Sequence, residues 1–188
     1  LQSIIDSPSK IWDLNKKPLD SEANFRSFIS LKNGFNETGR NVFRWHRKRK
    51  LEDLNKDFKK YLDKRKHPLA DFTTIKQMEI VKRSSSGRIL ELNVETDKGL
   101  VVLEKTEVRG AFVPPISTLF YLEPMYDAKK ILTGYAFIGG GFGHGVGLSQ
   151  YGSYNLAKLG WNAKKILNFY YPNTTIEPLN DTIVFWKD

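Results

Sequence analysis

The sequence predicts an α+β fold, a mainly antiparallel sheet with helices packed on it, and three observations predict it. Leu90, Leu92 and Val94 alternate with Glu91, Asn93 and Glu95, the period of a strand whose sheet keeps one face wet. The turn SSSGR sits between that run and an apolar run before it, at hairpin distance. Leu51, Leu54, Phe58 and Leu62 recur at helical spacing. Strands followed by separate helices, without a regular βαβ alternation, read as α+β.

Residues 1–42 carry turn residues around short apolar clusters and read as a loop-rich segment draped on the core. Phe25, Phe28, Ile29 and Leu31 are the candidates there for a short helix or packed turn. Residues 43–63 hold a helix, with Glu52 and Asp53 near its start and Lys59 and Lys60 near its end, as the helix dipole favours. Phe43 and Trp45 alternate into the core from a short strand, and HRKRK reads as a solvated basic lead-in to the helix rather than a nucleic-acid motif. Strands are expected over 75–83, 88–96 and 100–105, forming a meander. EVRGAF makes a short helix or turn that the prolines at 114 and 115 end. Further strands follow at 118–122 and 135–140. SQYGSYNLAKLG reads as a helix stopped by Gly160, and Asn162 caps a second helix, AKKILNFYY, before Pro172. TIVFW at 182–186 is expected as a terminal strand.

The chain has 188 residues, enough for one domain or one domain with an appendage. Its 30 Lys and Arg against 21 Asp and Glu give a net charge of +9, which favours anionic partners such as an acidic wall polymer or nucleic acid. It has no cysteine, which excludes disulfides, thiolate zinc sites and thiol nucleophiles. No apolar run approaches the roughly 20 residues that a membrane-spanning helix needs. The opening LQSIIDSPSK starts with Leu and reads as the interior of a longer chain.

Half of the fourteen glycines fall within 139–152, GGGFGHGVGLSQYG. A dinucleotide fingerprint would need G-x-G-x-x-G in a βαβ unit with an acid about twenty residues on, and a Walker A loop would need Gly-Lys-Ser/Thr. Both are missing, so nucleotide binding is excluded and no cofactor is expected. Glycine costs roughly 0.5–1 kcal/mol against alanine in regular structure. A loop this rich in it implies positive φ or a close approach of backbone to another object. His144 stands between Gly143 and Gly145, shortly before a helix N-terminus that favours negative charge. Ser149 and Gln150 add hydroxyl and amide groups within a turn. His46 and His67 have no motif spacing relative to His144, so no metal site is expected. The aromatics do not interleave with Lys and Arg in a nucleic-acid module pattern, which excludes that partner.

Residues 139–176, GGGFGHGVGLSQYGSYNLAKLGWNAKKILNFYYPNTTI, resemble the C-terminal signature of the SpoIID/LytB family, with Leu148 where Met is usual and Ser153 where Ala is usual. FRW at 43–45, SGR at 86–88, VRGAF at 108–112 and LQSIID follow the family's order, so the resemblance covers nearly the whole chain. It implies extracytoplasmic work on peptidoglycan glycan strands. Members of the SpoIID type are lytic transglycosylases that cleave MurNAc–GlcNAc bonds in denuded strands. Those of the LytB type enhance a cell-wall amidase without chemistry of their own. The family's catalytic Glu motif is absent, so the resemblance implies that 1–188 is the C-terminal portion of one such domain, lacking the catalytic N-terminal part. Lytic cleavage needs a carboxylic acid, and none lies in 139–152. On this reading His144 and Gln150 act at the reacting sugars. Gly141, Gly143, Gly145, Ser149, Tyr151, Tyr170 and Tyr171 contact the glycan, the two last by stacking on sugar faces.

Overall fold

The computed structural model describes residues 2–180; the strand expected at 182–186 lies outside them. The fold is α+β, but the strands form two antiparallel sheets rather than one. The elements run α1 (Glu22–Ser30), β1 (Arg44–Lys50), α2 (Leu51–Lys64), β2 (Ile75–Arg83), β3 (Ile89–Thr96), β4 (Leu100–Glu104), α3 (Glu107–Ala111), β5 (Phe120–Tyr126), β6 (Leu132–Gly140), α4 (Gln150–Lys158) and α5 (Ala163–Tyr170).

One sheet has the order β1-β6-β5, and the other is the expected meander β2-β3-β4. β6 is central and covered on both faces. Phe137 enters the main core under α2, while its neighbour Ile138 packs against the aromatic cluster of Phe25, Phe28, Phe35 and Phe43 around α1. Successive side chains of a strand point to opposite faces, so a doubly covered strand must be apolar throughout, as YAFIGG is. The meander buries only one face: Met78, Leu92, Val94, Val101 and Leu103 join the main core, while Val81, Leu100 and Val102 stay exposed. One hydrogen bond ties the sheets directly, and another ties β3 to the segment that leads into β5. Tyr135 on β6 accepts from the Met78 N–H at 2.8 Å, and the Ile89 N–H donates to the Thr118 carbonyl at 2.9 Å. α2 seals the junction with Leu54, Phe58 and Leu62, Phe58 stacking on Phe112 at 5.3 Å.

Three expectations are corrected. HRKRK belongs to β1 itself, paired along β6, and the helix begins directly after it. Leu90 is not the inward residue: the β2–β3 pairing slips near Arg83, setting Ile89 opposite it, and Ile89 takes the core position. The strand expected at 118–122 runs instead over 120–126, because residues 116–118 serve the glycine loop. The loop-rich reading of 1–42 holds apart from α1.

Candidate functional site

β6 delivers the chain into the glycine loop, and four contacts fasten the loop's first half. The Gly141 N–H donates to the Phe43 carbonyl at 3.2 Å and the Gly143 N–H to the Ile116 carbonyl at 2.8 Å. Trp45 Nε1 donates to the Gly141 carbonyl at 3.0 Å, and Ser117 Oγ donates to the Gly140 carbonyl at 2.7 Å. Beyond these the alternation of glycine decides the shape. Gly141, Gly143, Gly145 and Gly147 have φ of +72°, +87°, +73° and +93°. Side chains rarely adopt that region, so every second position must be glycine. The residues between them stand outward, Phe142 at 68% and Val146 at 58% exposure, with His144 exposed as well.

His144 Nδ1 accepts from the Val146 N–H at 3.0 Å, which assigns the ring proton to Nε2. Ser149 is the N-cap of α4: its oxygen accepts from the Gly152 N–H at 3.0 Å, and its hydroxyl donates to Glu37. Gln150 and Tyr151 are exposed on the first turn, and Arg40 covers the Tyr151 ring at 4.5 Å.

The two tyrosines of α5 approach the loop with their hydroxyls. Tyr170 is 6% exposed and belongs to the small core with Leu156 and Ile166, so its ring is closed to a sugar face. Its hydroxyl donates to Asp6 at 2.8 Å and lies 2.0 Å from where a Cβ on Gly152 would stand. The Tyr171 hydroxyl lies 3.2 Å from the corresponding position on Gly147. These glycines let the tyrosines clamp the loop and α4 from behind.

Two carboxylates that sequence reasoning passed over sit in this clamp. Asp6 accepts from Asn36 Nδ2 at 2.8 Å and from Tyr170, and Asn36 in turn accepts from Asn155 on α4 at 2.9 Å. Burial raises the Asp6 pKa above its usual value, with the two hydrogen bonds opposing. Burial likewise pushes Tyr170 up, helped by the Asp6 charge. The signal for Asp6 was present in LQSIID, where its polar character in a short apolar run went unused. Glu37 lies in a turn-rich stretch with no such mark.

Beneath the loop lie guanidinium groups. Arg88 is flush with Gly145: a Cβ there would stand 1.6 Å from Arg88 Cζ. Burial pulls the Arg88 pKa down to about 10, the charge of Arg109 pulls the same way, and Glu37 opposes. Arg109, on α3, faces the Phe142 ring at 5.9 Å. Arg44 is held by the Ile29, Phe43 and Phe28 carbonyls and stacked among Phe28, Phe35 and Phe43; burial brings it to about 10 as well. Arg44 is a packing residue, whereas Arg88 and Arg109 adjoin the outward side chains.

The loop thus presents Phe142, His144 and Val146 outward above Arg88 and Arg109, with Asp6 and Glu37 in the clamp behind it. Comparison with known proteins places the chain in a family. It belongs to the one described as "Domain of unknown function (DUF8618)", which matches residues 1–147. It is also distantly related to a protein named "Amidase enhancer" from Bacillus subtilis, 48% identical over 48 residues, which cover 26% of this chain and 7% of that protein. An uncharacterized protein of Brachyspira hyodysenteriae is 40% identical over 55 residues, covering 29% of this chain and 15% of the other. The matched stretch is thus a small part of either relative's length.

Proposed function

We propose that the chain is a cell-wall module, a portion of a SpoIID/LytB-type domain, that holds peptidoglycan glycan strands against the glycine loop and thereby enhances an N-acetylmuramoyl-L-alanine amidase outside the cytoplasm. The observation that carries this reading is the loop, whose alternate glycines turn Phe142, His144 and Val146 outward over Arg88 and Arg109. A strand lying there meets a small-residue backbone at Gly141, Gly143 and Gly145. It can accept hydrogen bonds from His144 Nε2 and the Gln150 amide, and it can rest a sugar face on Phe142 or Tyr151. Ser149, Tyr170 and Tyr171 hold the loop in place. The net charge of +9 draws the module to an anionic wall, and the relative named "Amidase enhancer" supports the amidase as partner.

A second reading, lytic transglycosylase, is favoured by one observation. Asp6 stands against Gly152, where the loop meets α4, and burial raises its pKa above the usual value, the direction that a proton-donating carboxyl in glycosidic cleavage needs.

Co-sedimentation with purified sacculi, followed by mass spectrometry of the released products, tests both. Binding that falls in His144→Ala and Gln150→Ala, faster amidase clearing and no 1,6-anhydro-muramyl products are expected. Anhydro products that vanish in Asp6→Asn would replace the enhancer reading with the enzyme. Absence of binding would contradict both.

A further inference from the structure

Arg88 closes the SSSGR turn and Arg109 lies in VRGAF, and the fold brings these distant segments together under one loop. The loop backbone at Gly145 rests on the Arg88 guanidinium, and Phe142 lies over Arg109. Their charges are only partly neutralised locally. Arg88 donates through Nη1 to Thr118 Oγ1 at 3.3 Å, and its Nε and Nη2 have no acceptor among the described residues. The Arg109 side chain donates no hydrogen bond there, and its Nε is buried without a partner among the described residues. Neither arginine makes a salt bridge among the described residues. Burial is the main cause of the lowered Arg88 pKa, and the nearby Arg109 charge adds to it, so the two like charges stand close enough to repel. An oxyanion placed between them would relieve that repulsion, and guanidinium forks match carboxylate and phosphate oxygens in pairs. Glu37, close enough to act on Arg88, offsets part of the positive charge. The remainder suits a monoanion better than a phosphate dianion.

We propose that Arg88 and Arg109, roofed by residues 142–145, form a carboxylate subsite for the wall polymer. The carboxylate is either the free lactyl group of a muramic acid residue or the terminal carboxylate of a stem peptide. Exposed Phe142 and Val146 supply apolar contact for the sugar ring or the adjoining methyl group. The subsite rests on the wall-glycan reading given above, and it makes carboxylate recognition the role of this corner of the site.

The test is a ¹H–¹⁵N NMR titration of the full chain with N-acetylmuramic acid, its methyl ester, N-acetylglucosamine, N-acetyl-D-alanyl-D-alanine and inorganic phosphate. One of the two carboxylates is expected to bind and to shift residues 142–145, and the one that binds names the source. Esterifying N-acetylmuramic acid weakens binding about tenfold or more if the lactyl group is read. Arg88→Gln and Arg109→Gln each lower the affinity of the bound carboxylate by a similar factor. Equal binding of acid, ester and N-acetylglucosamine with no dipeptide binding, or tighter binding of phosphate, would overturn the subsite. The ligand comparison on the unaltered chain decides the matter even if an arginine variant fails to fold. Sacculus co-sedimentation run in parallel separates the two levels. Sacculi bound without carboxylate preference would sink the subsite alone, and no binding to sacculi would sink the wall reading with it.

Discussion

Gly141→Ala and Gly145→Ala form a matched pair that isolates the contact between the loop and Arg88. Their φ angles are +72° and +73°, so each alanine meets nearly the same backbone strain. That strain is worth roughly 1–2 kcal/mol for an L residue in the left-handed region. Their surroundings differ. At Gly141 a Cβ would find nothing within 4 Å, whereas at Gly145 it would stand 1.6 Å from Arg88 Cζ and 1.9 Å from Nε and Nη2. Gly145→Ala must therefore push the guanidinium out of its seat and break its bond to Thr118. A lost hydrogen bond to a charged group with its packing costs about another 1–3 kcal/mol. Denaturant unfolding followed by tryptophan fluorescence reads the difference directly. Gly145→Ala is expected to be the less stable of the two by that extra amount, and it alone should lose carboxylate binding. Equal stability and equal binding in the two variants would refute the placement of Arg88 against the loop.

Other consequences are equally open to measurement. Tyr135→Phe leaves the buried Met78 N–H without its acceptor and should cost about 1–3 kcal/mol in the same unfolding assay, because it cuts a link between the sheets. Ser149→Ala removes the α4 cap and the bond to Glu37; a loss of about 1 kcal/mol is expected, with faster amide exchange in the first turn of α4. Asp6→Asn tests the pH dependence. Burial raises the folded pKa of Asp6 above its model-peptide value of 3.8, so the folded protein binds the proton more tightly than the unfolded chain. The stability that this provides is present below 3.8 and is lost as pH rises through the raised folded value. Asp6→Asn should therefore gain stability relative to the unaltered chain over that window, and a difference that stays flat or falls with pH would contradict the burial of this carboxyl.

What the sequence made legible follows from the range of the forces involved. The meander, α2, the Asn162 cap and the loop that ends β6 all rest on local periodicity or turn chemistry, and each is found where the residues place it. The slip near Leu90 was hidden because strict alternation conceals a bulge until its pairing partner is known. Two sheets looked like one because edges carry no periodic signature. The site's carboxylates were hidden by distance: Asp6 meets Tyr170 across 164 positions and Glu37 meets Ser149 across 112. SGR and VRGAF were visible as motifs, but only the fold shows that their arginines share a roof. Tyr170 looked like a stacking ring because exposure cannot be read from a tyrosine in a short apolar run.

Glycan binding at the loop is tested most directly by a map of amide shifts when the ¹⁵N-labelled chain meets soluble GlcNAc–MurNAc disaccharide. Shifts confined to residues 141–151 together with Arg88 and Arg109 are expected. Shifts centred on the open face of the meander, or none at concentrations where the chain sediments with sacculi, would contradict binding there.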